Sequence, residues 1–138
     1  MRKLHPFCIA IGMLALAATV PAFAQRARRG YSYESGQDLY QHICQGCHMP
    51  DGRGAVGAGM YPPLAGNARL QSPLYPALVI LRGQKAMPAF SELTDSQVAA
   101  VTNYIRVSFG NAQQGSITPE QVTALRPQAV HQDAGQPG

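Results

Sequence analysis

Cys44-Gln45-Gly46-Cys47-His48 sets two thiols and an imidazole within five consecutive positions, and no other stretch limits the possible folds of the chain so strongly. Such a stretch suits three chemistries: a zinc site, a cycling dithiol, or covalent attachment of a prosthetic group. Zinc needs four ligands, usually including a second pair well separated in sequence. A thioredoxin-like dithiol needs a βαβ setting. An attached group needs the three side chains on one helical turn. The rest of the chain has to decide among them.

Residues 1–24 read as a secretory signal peptide. Arg2 and Lys3 give the positive start, Cys8 to Val20 is apolar without a charge, and Ala22-Phe23-Ala24 supplies small residues ahead of a cleavage site before Gln25. The 17 residues from Phe7 to Phe23, with Pro21 near their end, are short for a membrane span. Removal of the leader takes Cys8 with it and leaves a single cysteine pair in an exported protein. It also removes part of the net charge of +4, and Arg26, Arg28 and Arg29 confine more of it to a basic arm over 25–32. Across 31–110, Arg53, Arg69, Arg82, Lys85 and Arg106 balance Glu34, Asp38, Asp51, Glu92 and Asp95. A neutral domain with a short basic arm gives no reason to expect a nucleic-acid partner.

The expected class is all-α. Ser35 and Asp38 fit a capping box, and Leu39, Tyr40 and Ile43 form an apolar stripe on a first helix running into Cys44. From Gly52 to Gly66 glycine and proline are too dense for helix or strand, so this stretch is a loop. Ser72 and Pro73 read as the cap and first residue of a second helix, closed by Gly83. Thr94 and Gln97 make another capping box, followed by a face of Val98, Val101, Tyr104 and Ile105 up to Gly110. A short fourth helix is expected from Thr118-Pro119, carrying Val122 and Leu125, with a loose, disordered tail past Pro127. The organisation is thus a leader, an arm, a domain over 33–110, and a C-terminal extension over 111–138. Three modest helices bury little surface, and a domain this small often needs a staple in its middle.

Outside the motif the mature chain offers zinc only His42, two residues before Cys44, and His131 in the tail. No βαβ pattern is present for a dithiol. Haem explains the spacing directly. Two residues between the cysteines on a helical turn bring their sulfurs to the separation of the porphyrin vinyl groups, and His48 then faces the iron as proximal ligand. The motif occurs once, so one covalently attached haem c is expected.

Residues 33–110 resemble a class I c-type cytochrome, the small helical electron carrier of respiratory chains. Gly36 and Tyr40 stand before Cys44 where this family has a glycine and an aromatic packing the first helix on the last, and Tyr104 matches the aromatic of that last helix. Tyr61-Pro62-Pro63-Leu64-Ala65-Gly66 resembles the Pro-x-Leu-x-Gly loop of the family. The resemblance implies three main helices wrapped around the haem, Leu64 on the haem face, and a Pro62 carbonyl accepting the proton on His48 Nδ1. The stretches GMYPPLAGN and KAMPAF resemble more closely the cytochrome subunits or domains of bacterial periplasmic dehydrogenases.

Mature methionines are Met49, Met60 and Met87. Met49 adjoins His48 and is committed to its side of the iron. Met60 lies in the glycine-rich loop just before Pro62. Met87-Pro88 lies between the second helix and the final one, where the family has its distal methionine, and Met87 is the expected sixth ligand. Gly52, Gly54, Gly57 and Gly59 either let backbone approach the porphyrin edge or make a flexible surface loop. Arg69, Arg82, Lys85, Tyr61 and Tyr75 are candidates for the propionates or simply surface and rim residues.

These readings imply a periplasmic one-electron carrier rather than an enzyme. The resemblance implies a dehydrogenase as donor; a downstream cytochrome or terminal oxidase is the expected acceptor. The carrier is soluble, or membrane-associated only through a partner. Two alternatives remain at this point: a haem subunit held permanently in a dehydrogenase complex, and a haem enzyme or gas sensor with an open distal site. Ala86, Pro88, Ala89 and Phe90 around Met87 are apolar and argue against the second.

Overall fold

A computed structural model of the protein describes residues 30–57 and 59–133. The expected leader and the arginines of the arm lie outside these residues. In chain order the elements are α1 (Gly36–Leu39), a π-helical turn (Tyr40–Cys44), α2 (Gln45–His48), a 3-10 turn (Ala68–Gln71), α3 (Leu74–Arg82), α4 (Asp95–Val107) and α5 (Pro119–Asp133). Among the described residues there is no strand, only the isolated bridges Val56 to Met60 and Gln84 to Met87. The protein is all-α, as expected.

Caps start the helices where the polar residues stand. The Asp38 N–H donates to Ser35 Oγ at 3.0 Å, and Ser35 Oγ–H returns to the Asp38 carboxylate at 2.7 Å. Thr94 and Gln97 close a full capping box on α4. Gln97 is also buried, and its amide donates to the carbonyls of Tyr31 and Tyr33, fastening the N-terminal segment to α4. On α3 the cap is Pro73 rather than Ser72, one residue later than expected. Pro76 fits there because first-turn N–H groups have no helical partner to lose.

α1 crosses α4 at a distance only glycine permits. A Cβ on Gly36 would stand 2.2 Å from Ala100 O and 2.7 Å from Tyr104 Cβ. The close approach brings the Tyr40 ring within 5.7 Å of Tyr104 and 4.8 Å of Phe109, an aromatic cluster that packs the motif-bearing helix onto α4. Gly36→Ala forces two backbones apart, so it is expected to cost at least the upper end of the usual overpacking penalty of about 1–3 kcal/mol. Denaturant unfolding of the haem-loaded protein checks this; an unchanged midpoint would show that the helices can separate freely.

The C-terminal region corrects the expectation. Instead of a short helix and a loose tail from Pro127, α5 runs for 15 residues through Pro127 to Asp133. A proline inside a helix removes one hydrogen bond and crowds one carbonyl. Against that cost stand Ile117, Val122 and Leu125, all buried in the same core as Leu39, Leu81, Val98, Val101 and Ile105. The extension therefore completes the core of 33–110 instead of trailing from it. Residues 134–138 lie outside the described residues.

Arg106 supplies a second tie in this region. It is 1% exposed, and its guanidinium donates to the carbonyls of Leu70, Gln71, Gln114 and Gly115. A buried cation is costly unless hydrogen-bonded. Here four carbonyls satisfy it and join the 3-10 turn to the segment entering α5.

Candidate haem site

The motif ends a helical run over 36–48 that is interrupted at one turn. Over Tyr40–Cys44 the helix widens, and Gln45 N–H reaches back to Tyr40 O. Such π-type turns insert an extra residue and are frequent at functional sites. Cys44 closes this turn, and Cys47 and His48 follow on α2. Both thiols are free, Cys44 half-buried and Cys47 exposed. Burial pushes the Cys44 thiol up to about 11, with a smaller push from Cys47, so it stays protonated at neutral pH.

His48 Nδ1–H donates to Pro62 O at 3.2 Å. Burial lowers the His48 pKa below its ordinary value, opposed by the bond to Pro62, so the imidazole is neutral at pH 7. With the proton on Nδ1, Nε2 carries the free lone pair and makes no hydrogen bond to a described residue.

The loop over 49–66 folds back onto the motif to deliver Pro62. Gly54 N–H donates to His48 O at 3.0 Å and Ala55 N–H to Cys47 O at 2.9 Å. Gly54 has φ +78°, and a Cβ there would stand 2.2 Å from Tyr61 O. Glycine is thus required for Tyr61-Pro62 to pass over the end of α2. Gly57 and Gly59 meet nothing within 4 Å and belong to open surface. The close approach at Gly54 is thus of backbone to backbone, while Gly57 and Gly59 are open to the surface.

Leu64 is half-buried against the core, its N–H on Gly52 O at 2.7 Å. Its position depends on Asn111, which escapes sequence reasoning. The Asn111 amide donates to Leu64 O and Ile105 O and accepts from Gly66 N–H, joining the loop to the end of α4. Gly110-Asn111 signals a helix end, but nothing local shows a partner 45 positions away.

Met87 is half-buried and packed on the core, whereas Met60 is 74% exposed. Gln84 and Met87 exchange backbone hydrogen bonds of 2.9 and 3.0 Å, forming a tight turn after α3. Gly83, at φ +73°, lies against that turn, and a Cβ would meet Met87 O at 2.6 Å and Ala89 N at 2.8 Å. Of the candidate propionate partners, Arg69 donates to Tyr75 Oη and Tyr75 to Gln84 Oε1, each at 3.3 Å, so this chain of side chains reaches the Met87 turn. Arg82 and Lys85 make no such bond among the described residues.

The donor set fits a haem. Two free thiols and a neutral imidazole with a bare Nε2 share one helix end. Ile43, Leu64, Leu78, Met87 and Phe90 are apolar, packed on the core and still part-exposed. No group of three or more His, Cys, Asp or Glu among the described residues is arranged to hold a metal ion, so the zinc alternative finds no ligand set there.

The family described as "Cytochrome C oxidase, cbb3-type, subunit III" matches residues 32–105. The chain belongs to the class I c-type cytochromes. It is an electron-transfer protein of a family that carries haem c. This cytochrome is 39% identical over 105 residues to the "Alcohol dehydrogenase (quinone), cytochrome c subunit" of Gluconacetobacter polyoxogenes, an alignment covering 66% of the chain and 22% of that subunit. It is 34% identical over 107 residues to the "Fructose dehydrogenase cytochrome subunit" of Gluconobacter japonicus, covering 66% and 22%. It spans, then, about a fifth of the length of these relatives. A cytochrome c-552 of Thermus thermophilus is 31% identical over 129 residues, covering 78% of this cytochrome and 85% of the relative. No described helix is long and apolar enough to cross a membrane.

Proposed function

We propose that this cytochrome carries single electrons in the periplasm from a dehydrogenase to a downstream cytochrome or terminal oxidase. One haem c would be held by Cys44 and Cys47 through thioethers, with His48 and Met87 as the residues that would ligate its iron. The observation that carries this reading is the hydrogen bond from His48 Nδ1 to Pro62 O beside two free thiols. It fixes the tautomer, orients the ring and keeps Nε2 basic, the usual arrangement of a ligating histidine. A haem bound there would supply one-electron redox chemistry at its iron.

The chain's own residues do the rest. Cys44 and Cys47 would supply the thiols that hold the haem at its two vinyl groups. Met87, a neutral thioether, favours the ferrous state and raises the potential. Its apolar neighbours Pro88, Ala89 and Phe90 offer a small ligand no polar distal group, which counts against an enzyme or gas sensor. Support for a dehydrogenase donor comes from the 39% identity to a dehydrogenase cytochrome subunit. The same similarity favours a second reading, a haem subunit permanently bound to its dehydrogenase. Gel filtration of a mixture with the donor enzyme separates the two, since a carrier dissociates and a subunit co-elutes.

Denaturing electrophoresis of periplasmic protein stained for haem peroxidase activity is expected to show a single band that disappears in Cys44→Ala/Cys47→Ala. Haem that leaves the wild-type polypeptide in acid–organic solvent would overturn the thioether assignment.

A further inference from the structure

Arg126 lies beyond the residues matched by the family, yet it is tied to the segment that carries Met87. From α5 its guanidinium reaches three acceptors on one stretch of chain. Nη1–H donates to Ser91 O at 3.0 Å, Nη2–H to Leu93 O at 2.6 Å, and Nε–H to Asp95 Oδ1 at 2.6 Å. These acceptors occupy the connection from the Met87 turn to the first residue of α4. The same connection is tied once more, upstream, where Phe90 N–H donates to Ile80 O on α3 at 2.9 Å. Thr123, one turn before Arg126, donates its hydroxyl to the other oxygen of Asp95. Burial works against ionisation of Asp95, but the bonds from Thr123 and Arg126 and the Arg126 charge outweigh it and hold the carboxyl below its ordinary range. The ion pair is therefore present at neutral pH.

We infer that Arg126 is a positioning residue for Met87: the C-terminal helix clamps the stem of the Met87 turn and keeps its thioether seated. The inference rests on Met87 being the distal ligand. A planar guanidinium presents several N–H groups in a fixed fork, so it can bridge two carbonyls and a carboxylate at once. A lysine ammonium presents its donors from a single point and cannot span the three in this way. With the clamp removed, the connection keeps its upstream tie at Phe90 and the bond from Thr123 to Asp95, but the carbonyls of Ser91 and Leu93 lose their partner on α5, and the turn opens more often. Entry of an external ligand at the iron reads that open population directly.

The test uses the full-length, haem-loaded protein in four variants: Arg126→Ala, Arg126→Lys, Thr123→Val and Met87→Ala. Three quantities are followed: the weak long-wavelength absorption of sulfur on ferric haem, the rate of cyanide binding, and helical circular dichroism. Both Arg126 variants are expected to bind cyanide roughly tenfold faster, as weakening of a charge-assisted clamp implies. Their long-wavelength absorption should vanish on heating well before helix is lost. Thr123→Val removes one tie of α5 but leaves the Arg126 contacts, and should stay within about twofold of wild type on the same scale. Cyanide rates unchanged in both Arg126 variants, or absorption and helix lost together, would overturn the clamp. If Arg126→Ala fails to load haem, Arg126→Lys carries the same comparison. Retention of the band in Met87→Ala would instead remove the ligand assignment beneath the clamp. Loss of the band there, with Arg126 variants like wild type, removes the clamp alone.

Discussion

Met87→Ala is expected to abolish the long-wavelength absorption of the oxidised protein and open the iron to carbon monoxide or cyanide, while Met60→Ala leaves both properties as they are. The two methionines differ in their surroundings. Met87 is packed on the core in a turn pinned by Gln84 and by the close approach of Gly83, whereas Met60 is 74% exposed. A ligand has to be held against the iron through both oxidation states, and an exposed side chain on an open loop has nothing to hold it. Loss of the thioether also removes the preference for ferrous iron, so the midpoint potential should fall on the order of 0.1 V, well inside the span of about 0.8 V that axial ligands command. Absorption spectra and a redox titration of both variants decide the matter. Disappearance of the band in Met60→Ala would reverse the assignment.

The second large effect is expected at Gly54. Alanine there meets two penalties at once: a left-handed backbone that costs about 1–2 kcal/mol, and a Cβ 2.2 Å from Tyr61 O. The clash adds about 1–3 kcal/mol as the Tyr61-Pro62 backbone moves aside. The sum, roughly 2–5 kcal/mol, falls on the segment that accepts the His48 proton. Gly57→Ala is the control, since its Cβ would enter open space, and it should stay within about 0.5 kcal/mol of wild type. Chemical denaturation of the two haem-loaded variants makes the comparison. A ring no longer tied to Pro62 is also less basic, so Gly54→Ala should raise the potential where Gly57→Ala does not. Equal stabilities for the two variants would contradict the structural role given to Gly54.

Much of the site was legible because its chemistry is local. Cys44, Cys47 and His48 are neighbours in sequence, and helical geometry alone brings them to one face. The same holds for the caps at Ser35 and Thr94, where donor and acceptor are three residues apart. Pro62, Leu64 and Met87 lie far from the motif in sequence, and only a family resemblance points to them, joined for Met87 by the placement of the other two methionines. The structure adds their geometry: an acceptor at 3.2 Å from His48, a half-buried leucine and a half-buried methionine. The π-helical turn over Tyr40–Cys44 has no sequence signal, since nothing in its residues sets it apart from the helix on either side.

What sequence alone determined for this cytochrome is the class, the order of the main helices and the place of the Cys44-to-His48 motif at the end of the first of them, because each depends on residues within a turn or two of one another. What only the tertiary structure decided is set by contacts between distant segments. Gly54 and Gly57 look alike in sequence, but only one lies under a crossing backbone. Arg106 enters the sequence reading only as one of the balancing charges of 31–110, yet it is buried because carbonyls 35 and 36 positions away accept its hydrogen bonds. Pro127 reads as a helix stop, yet α5 runs through it, because Ile117, Val122 and Leu125 fill the core and Arg126 finds Asp95 and two carbonyls across the fold. A propensity acts within a few residues and is worth at most about 3 kcal/mol even for proline. Burial of several side chains together with a charged clamp outweighs it, and those partners exist only once the chain has folded.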